Sequence, residues 1–191
     1  TARALTLEAG TGDINFDGAV GNTNPLGAVT INSVATLDTD GVFKAASFKQ
    51  NAGSVLTQFD GAVTLTGNFD FTGQALTVNG SGHTVGGTMD VSNAGLFTTA
   101  DAADLTVTGQ FTQDGFGTSS LGGNLTGTAG IDFATGILFT GEDAVVLTTG
   151  GAAGQDIVLG TDNTTDITGT SQALTLNAGA AGDITIEGDV G

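Results

Sequence analysis

Over 191 residues the chain carries 33 glycines, one proline and no cysteine, tryptophan or tyrosine, and 20 acidic side chains against three Lys and Arg give it a net charge of −17. Those figures exclude collagen, since the glycines have no three-residue period, and any disulfide or thiolate-metal framework. They also exclude a nucleic-acid interface, which needs clustered cations, while 39% hydrophobic residues is too much for a disordered polar tract. No apolar run approaches the roughly 18 residues that span a bilayer, so no membrane insertion of this segment is expected.

In chain order the sequence is a succession of apolar–polar–apolar triplets. Leu5-Thr6-Leu7 and Ile14-Asn15-Phe16 open it, and Asn24-Pro25-Leu26 reads as a single turn before Val29-Thr30-Ile31. Next come the turn LDTDG with Asp38 and Asp40, then Val63-Thr64-Leu65, Phe69-Asp70-Phe71 and Leu76-Thr77-Val78. Met89-Asp90-Val91, Leu105-Thr106-Val107 and Ile131-Asp132-Phe133 follow, and Leu174-Thr175-Leu176 and Ile184-Thr185-Ile186 close the series. Strict alternation is the period of a half-buried strand, and Val, Ile, Phe and Thr suit pleated surfaces. Each run ends at Gly, Asn or Asp, the residues of tight corners. Triplets this short and this closely spaced fit the sides of a coil better than hairpins, whose strands run to roughly 5–6 residues. The expected fold is all-β: a right-handed parallel β-helix of about nine coils, ~20 residues each, in a rod about 45 Å long. The alternative is a β-sandwich.

The phrase ALTLEAGTGDINFDGAVG (4–21) returns as ALTLNAGAAGDITIEGDVG (173–191), with one residue inserted near Ala181. The chain is therefore read as a single continuous solenoid, residues 1–191, holding about one long repeat (1–170) and the start of the next (171–191). With no charged and apolar leader at Thr1, it reads as the interior of something longer.

Paired carboxylates for glycoside hydrolysis are Asp38 with Asp40, Asp101 with Asp104, and Glu142 with Asp143. Each is better explained as a turn or solvated corner, and three scattered cations do not serve a lyase, so no catalytic residue is assigned. Asp162, Asn163, Asp166 and the LDTDG turn could offer oxygens to calcium, but no EF-hand or Asp-rich nonapeptide loop is present. No metal site is assigned and no cofactor is expected. The lone His83, in NGSGHTVGG, reads as a surface corner residue rather than a ligand. The phenylalanines at or beside the triplets (Phe16, Phe69, Phe71, Phe133, Phe139) are expected to stack inside the coil. The lack of Tyr and Trp argues against an aromatic sugar-binding platform. The outward threonines (6, 30, 64, 77, 106, 175, 185) are too irregularly spaced in sequence for a regular array and read as ordinary outward residues.

Residues 4–37 (ALTLEAGTGDINFDGAVGNTNPLGAVTINSVATL), the block from Phe48 through FDGAVTLTGNFDFTGQALTVNG (59–80) and the terminal phrase resemble giant bacterial β-strand-repeat surface proteins. These are similar to the filamentous-haemagglutinin and autotransporter-adhesin group. Residues 81–172 share the strand style but no matching phrase. The resemblance implies a secreted protein, extracellular or at the bacterial cell surface, with a structural and adhesive role in fibres or biofilm, and no catalytic residues. The alternative function is a carbohydrate-active β-helix enzyme, a lyase or hydrolase. Expected partners are further copies or adjacent repeats stacked end to end, and a host-cell, matrix or polysaccharide surface. The expected junctions are Leu5, Thr6, Leu7, Ile14, Phe16, Leu174, Thr175, Leu176, Ile184, Thr185 and Ile186, because unpaired strand edges invite pairing.

Overall fold

The computed structural model describes residues 2–141, 143–160 and 166–191. Among them there is no helix, and every strand pair is parallel and joins one coil to the next, which sets the sandwich aside. The triplets of the sequence all lie in strands; Val63–Leu65, Leu76–Val78, Leu105–Val107 and Ile131–Phe133 are three-residue strands with both ends buried, and the others lie in longer strands or in the less buried terminal coils. Such short strands have no hydrogen-bonding partner within their own coil. They persist because each bonds to its equivalents in the coils before and after, so backbone pairing and core burial run along the rod together.

Three faces result. The first stacks Phe43–Ala45, then Val63–Leu65, His83–Val85, Leu105–Val107, Leu125–Gly127, Val145–Thr148 and Leu174–Asn177. The second runs from Leu5–Leu7 through Val29–Ile31, Phe48–Gln50, Phe69–Gly73, Met89–Asn93, Phe111–Gln113, Ile131–Phe133 and Ile157–Leu159 to Ile184–Ile186. The third is a nine-stranded ladder from Ile14–Phe16 to Asp189–Val190, and its strands number the coils 1 to 9. Consecutive coils differ in length, from 18 residues (Ser119 to Ile137) to 30 (Ile137 to Ile167). The ranks stay in register across these differences.

Some corners are crossed without breaking the strand. In Phe43–Gln50 the alternation slips once, with Ala46 and Ser47 both turned outward between buried Ala45 and Phe48. Its two halves then pair with different strands, Val63–Leu65 and Phe69–Gly73, which joins the first two faces into a 15-stranded sheet. The corner after the third face is an Asx-Gly pair in four successive coils: Asp17-Gly18, Asp40-Gly41, Asp60-Gly61 and Asn79-Gly80. The amides of Asp40, Asp60 and Asn79 donate to the carbonyls of Phe16, Thr39 and Phe59 of the preceding coil.

The core is one apolar column. In coil 3, Phe43, Phe48 and Phe59 come from the three faces and meet edge to face, with ring centroids 5.4 to 5.7 Å apart. Between coils the rings of two of the expected phenylalanines, Phe69 and Phe133, meet Phe48 and Phe111 in tilted contacts, each at 4.9 Å. Val63, Leu65, Phe69 and Phe71 are at most 3% exposed, whereas Leu5, Leu7, Ile14, Phe16, Leu174 and Leu176 are half-buried against the same column.

Candidate functional site

Outward side chains form ranks along the axis, one residue per coil, and any site must be assembled from them. The densest is acidic. Carboxylate oxygens of Asp38, Asp40 and Asp60 lie within 4.8 Å of one another where the third face meets its Asx-Gly corner. Asp60 accepts from Gln58 Nε2 at 2.9 and 3.1 Å and from Asn79 Nδ2 at 2.6 Å. Asp38 Oδ1 is buried without a hydrogen bond. Burial first, then Asp40, Asp60 and Asp17, push the Asp38 carboxyl above the usual carboxylate range, against the opposing hydrogen bond from the Thr39 backbone. The second face repeats the theme, with Asp70 in register with Asp90 and with Lys49. Burial raises Asp90, helped by Asp70 and Asp114; it also raises Asp132, helped by Asp114. Asp38 and Asp40 are thus brought together, with Asp60 as a third member that the sequence reading did not single out. The FDGAV and TDGVF repeats would have shown it, since equal corners of successive coils must stack.

Among the described residues, the other sequence candidates join no such cluster. Asp104 Oδ1 accepts the Asn124 N–H at 2.9 Å, a strut from coil to coil, and Asp101 is exposed in the turn before it. Asp143 and Asp166 are exposed; Glu142, Asp162 and Asn163 lie outside the described residues.

His83 corrects the expectation of a surface corner. It is 1% exposed, opens the strand His83–Val85, and points inward among Val63, Val78, Met89 and Leu105. Its Nδ1 accepts the Val63 N–H at 3.2 Å, while Nε2 is buried without a partner. Burial depresses its pKa below the ordinary imidazole value, outweighing the opposing influence of the nearby Gly80 backbone. The surrounding glycines suggested a corner, but His83-Thr84-Val85 is itself an alternating triplet in register with Leu105-Thr106-Val107.

Two surface features were not legible as such. Thr64, Thr84, Thr106, Thr126 and Thr148 stand in unbroken register on the first face, because corners absorb the irregular sequence spacing. Phe116 is 97% exposed, while the other phenylalanines are half-buried or buried. Its signal is local: an aromatic residue between two glycines in DGFGT, outside any triplet.

The expected junction residues occupy coils 1 and 9. There Ile184, Ile186 and Val190 are 46, 42 and 70% exposed. The repeated phrase does not return to the same faces. Leu5–Leu7 and Ile14–Phe16 lie on the second and third, whereas Leu174–Asn177 and Ile184–Ile186 lie on the first and second. Comparisons with protein-family models, with curated proteins and with solved structures find nothing that matches this chain.

Proposed function

We propose that this chain is a structural and adhesive rod, a segment of a secreted repetitive protein of the bacterial surface or of an extracellular filament. The observation that carries the reading is the apolar core that continues from coil to coil along one axis, beneath the outward Thr rank of the first face and the Asp side chains of the second and third. A body whose core and hydrogen bonds both run along one axis resists bending. The resemblance of residues 4–37 and 59–80 to filamentous-haemagglutinin-like proteins points the same way. In this reading coils 1 and 9 are junctions where a further copy or repeat stacks coaxially, through Leu5, Thr6, Leu7, Ile14 and Phe16 on one side and Leu174, Thr175, Leu176, Ile184, Thr185 and Ile186 on the other.

Solution scattering with electron microscopy on the purified 191 residues tests this directly. The expected particle is a rod about 45 Å long that lengthens in whole multiples as concentration rises. A compact particle that never elongates, or polysaccharide cleavage abolished by Asp38→Asn, would overturn the proposal.

A further inference from the structure

The loop that carries Phe116 is built from inside. Gln113, the last residue of Phe111–Gln113, is fully buried, and its Nε2 donates to Asn93 Oδ1 at 2.7 Å and to the loop carbonyls of Gly115 and Gly117 at 3.1 and 3.0 Å. Thr135 Oγ1 from the next coil donates to the same Gly117 carbonyl at 2.5 Å. From the preceding coil, the Asn93 carbonyl accepts the Gly117 N–H at 2.9 Å. A Cβ at Gly115 would fall 2.1 Å from the Asn93 carbonyl oxygen, and one at Gly117 would collide with the Gly95 carbonyl. Glycine is required at both positions for the loop to press onto the coil below, and Phe116 between them is driven out. A network of buried amides thus fixes an exposed aromatic ring, which forgoes the stabilisation that burying it would give.

Phe116 stands where two open grooves meet. One, about 320 Å³, climbs the corner between the second and third faces from coil 3 to coil 6, past Asn51, Thr72, Gln74 and Ser92. The other, about 540 Å³, continues from Phe116 over Ser120, Thr135 and Thr168 to coil 8, with Leu96 and Leu138 as apolar patches and the carboxylate of Asp166 at its edge. Both volumes fall within the ~300–1,000 Å³ of small-molecule sites, and both mix apolar surface with a few polar groups. The track crosses successive coils from coil 3 to coil 8, and no basic side chain lines it.

We infer that this track binds a neutral polysaccharide chain laid along the rod, with one sugar ring stacked on Phe116. A linear polymer fits a groove that crosses successive coils. A pyranose has an aliphatic C–H face for the ring and hydroxyls for Asn51, Gln74, Ser92 and Ser120. Acidic glycans are repelled, because the chain carries a net charge of −17 and the groove offers no cation to offset it. Tyr and Trp serve such platforms by adding a polar tip; here the groove supplies the polar groups and Phe supplies only the apolar face. This inference rests on the adhesive reading above and names what the rod would adhere to.

Affinity electrophoresis of the purified 191-residue protein tests it, with a soluble glucan, mannan and galactan as neutral probes and polygalacturonate as the acidic one. Retardation is expected in at least one neutral gel and none in the acidic gel. Phe116→Ala should weaken it at least ten-fold and Phe116→Trp should keep it, with unchanged circular dichroism for both. The inference fails if no neutral polymer retards the protein, if Phe116→Ala binds as wild type does, or if Phe116→Ala instead abolishes lateral pairing of copies seen by sedimentation. End-to-end elongation, measured on the same variant, reports on the rod reading separately, since Phe116 lies in coil 6, away from both terminal coils.

Discussion

At the scale of single residues the buried titratable groups pull stability in opposite directions with pH. His83 is held neutral in the core, so below its ordinary value of 6.5 the unfolded chain binds a proton that the folded chain refuses. Its contribution is therefore complete above that value and is lost as pH falls below it toward the depressed folded pKa. Asp38, Asp90 and Asp132 do the reverse. Their folded pKa lies above 3.8, so the folded chain takes up protons first and gains stability as pH falls through that raised value. Replacing His83 with Asn keeps an acceptor for the Val63 N–H and removes the titration. Thermal midpoints measured between pH 8 and 4 should show wild type losing stability below about 6.5, while His83→Asn stays level or rises until the carboxylates are protonated. Parallel curves for the two proteins would mean that His83 is not buried neutral.

At the scale of elements the unit is the coil, and its contents were largely readable. An apolar–polar–apolar triplet can bury both ends only as a strand on a closed side, so the strands at the named triplets and the ~20-residue coil followed from alternation and corner residues, whereas strands apolar throughout, such as Ile137–Phe139 and Ile157–Leu159, carry no alternation to show them. What alternation cannot say is which face a triplet occupies. That depends on how many residues each corner absorbs, which is why the threonine rank and the Asp60 neighbour of Asp38 were hidden. The interior polar groups were hidden as well. Gln50, Asn93 and Gln113 occupy inward positions that the alternation marks as apolar, and they are tolerated there by hydrogen bonds to Thr57, Gly95 and one another. A coil contacts only its neighbours, so losing part of one should cost more than losing all of one. Phe48→Ala opens a cavity where Phe43, Phe59 and Phe69 meet and is expected to cost about 3–5 kcal/mol. Deleting residues 63–82 shifts His83 and Met89 into the ranks of Val63 and Phe69 and leaves a shorter rod with continuous ladders. Chemical denaturation should find the deletion variant folded and more stable than Phe48→Ala. The reverse order would mean that the coils are not interchangeable units.

At the scale of the whole molecule, the coaxial stacking proposed above can be tested at coils 1 and 9. Continuing the second-face ranks from one copy to the next sets Leu5 on Ile184, Thr6 on Thr185 and Leu7 on Ile186. Leu5 occupies the rank of Val29 and Ile184 that of Ile157, and those are one and the same inward rank. On the third face Val190 meets Ile14 in the same way. The apolar match is good: the exposed Ile184, Ile186 and Val190 would be covered by side chains that are themselves half-buried. The charges oppose it, because the same register brings Glu187 beside Glu8 and Asp189 beside Asp13. Like charges directly opposite on neighbouring strands destabilise the pairing, and salt screens exposed charges over about 10 Å at 0.1 M. End-to-end association should therefore be weak at low salt and strengthen as ionic strength rises. Glu8→Lys, which turns one repulsion into an attraction, should promote elongation at low salt and lose its advantage at high salt. Sedimentation velocity across a salt series checks both. Association that weakens with salt, or that ignores Glu8→Lys, would show that copies do not continue the ladders in this register.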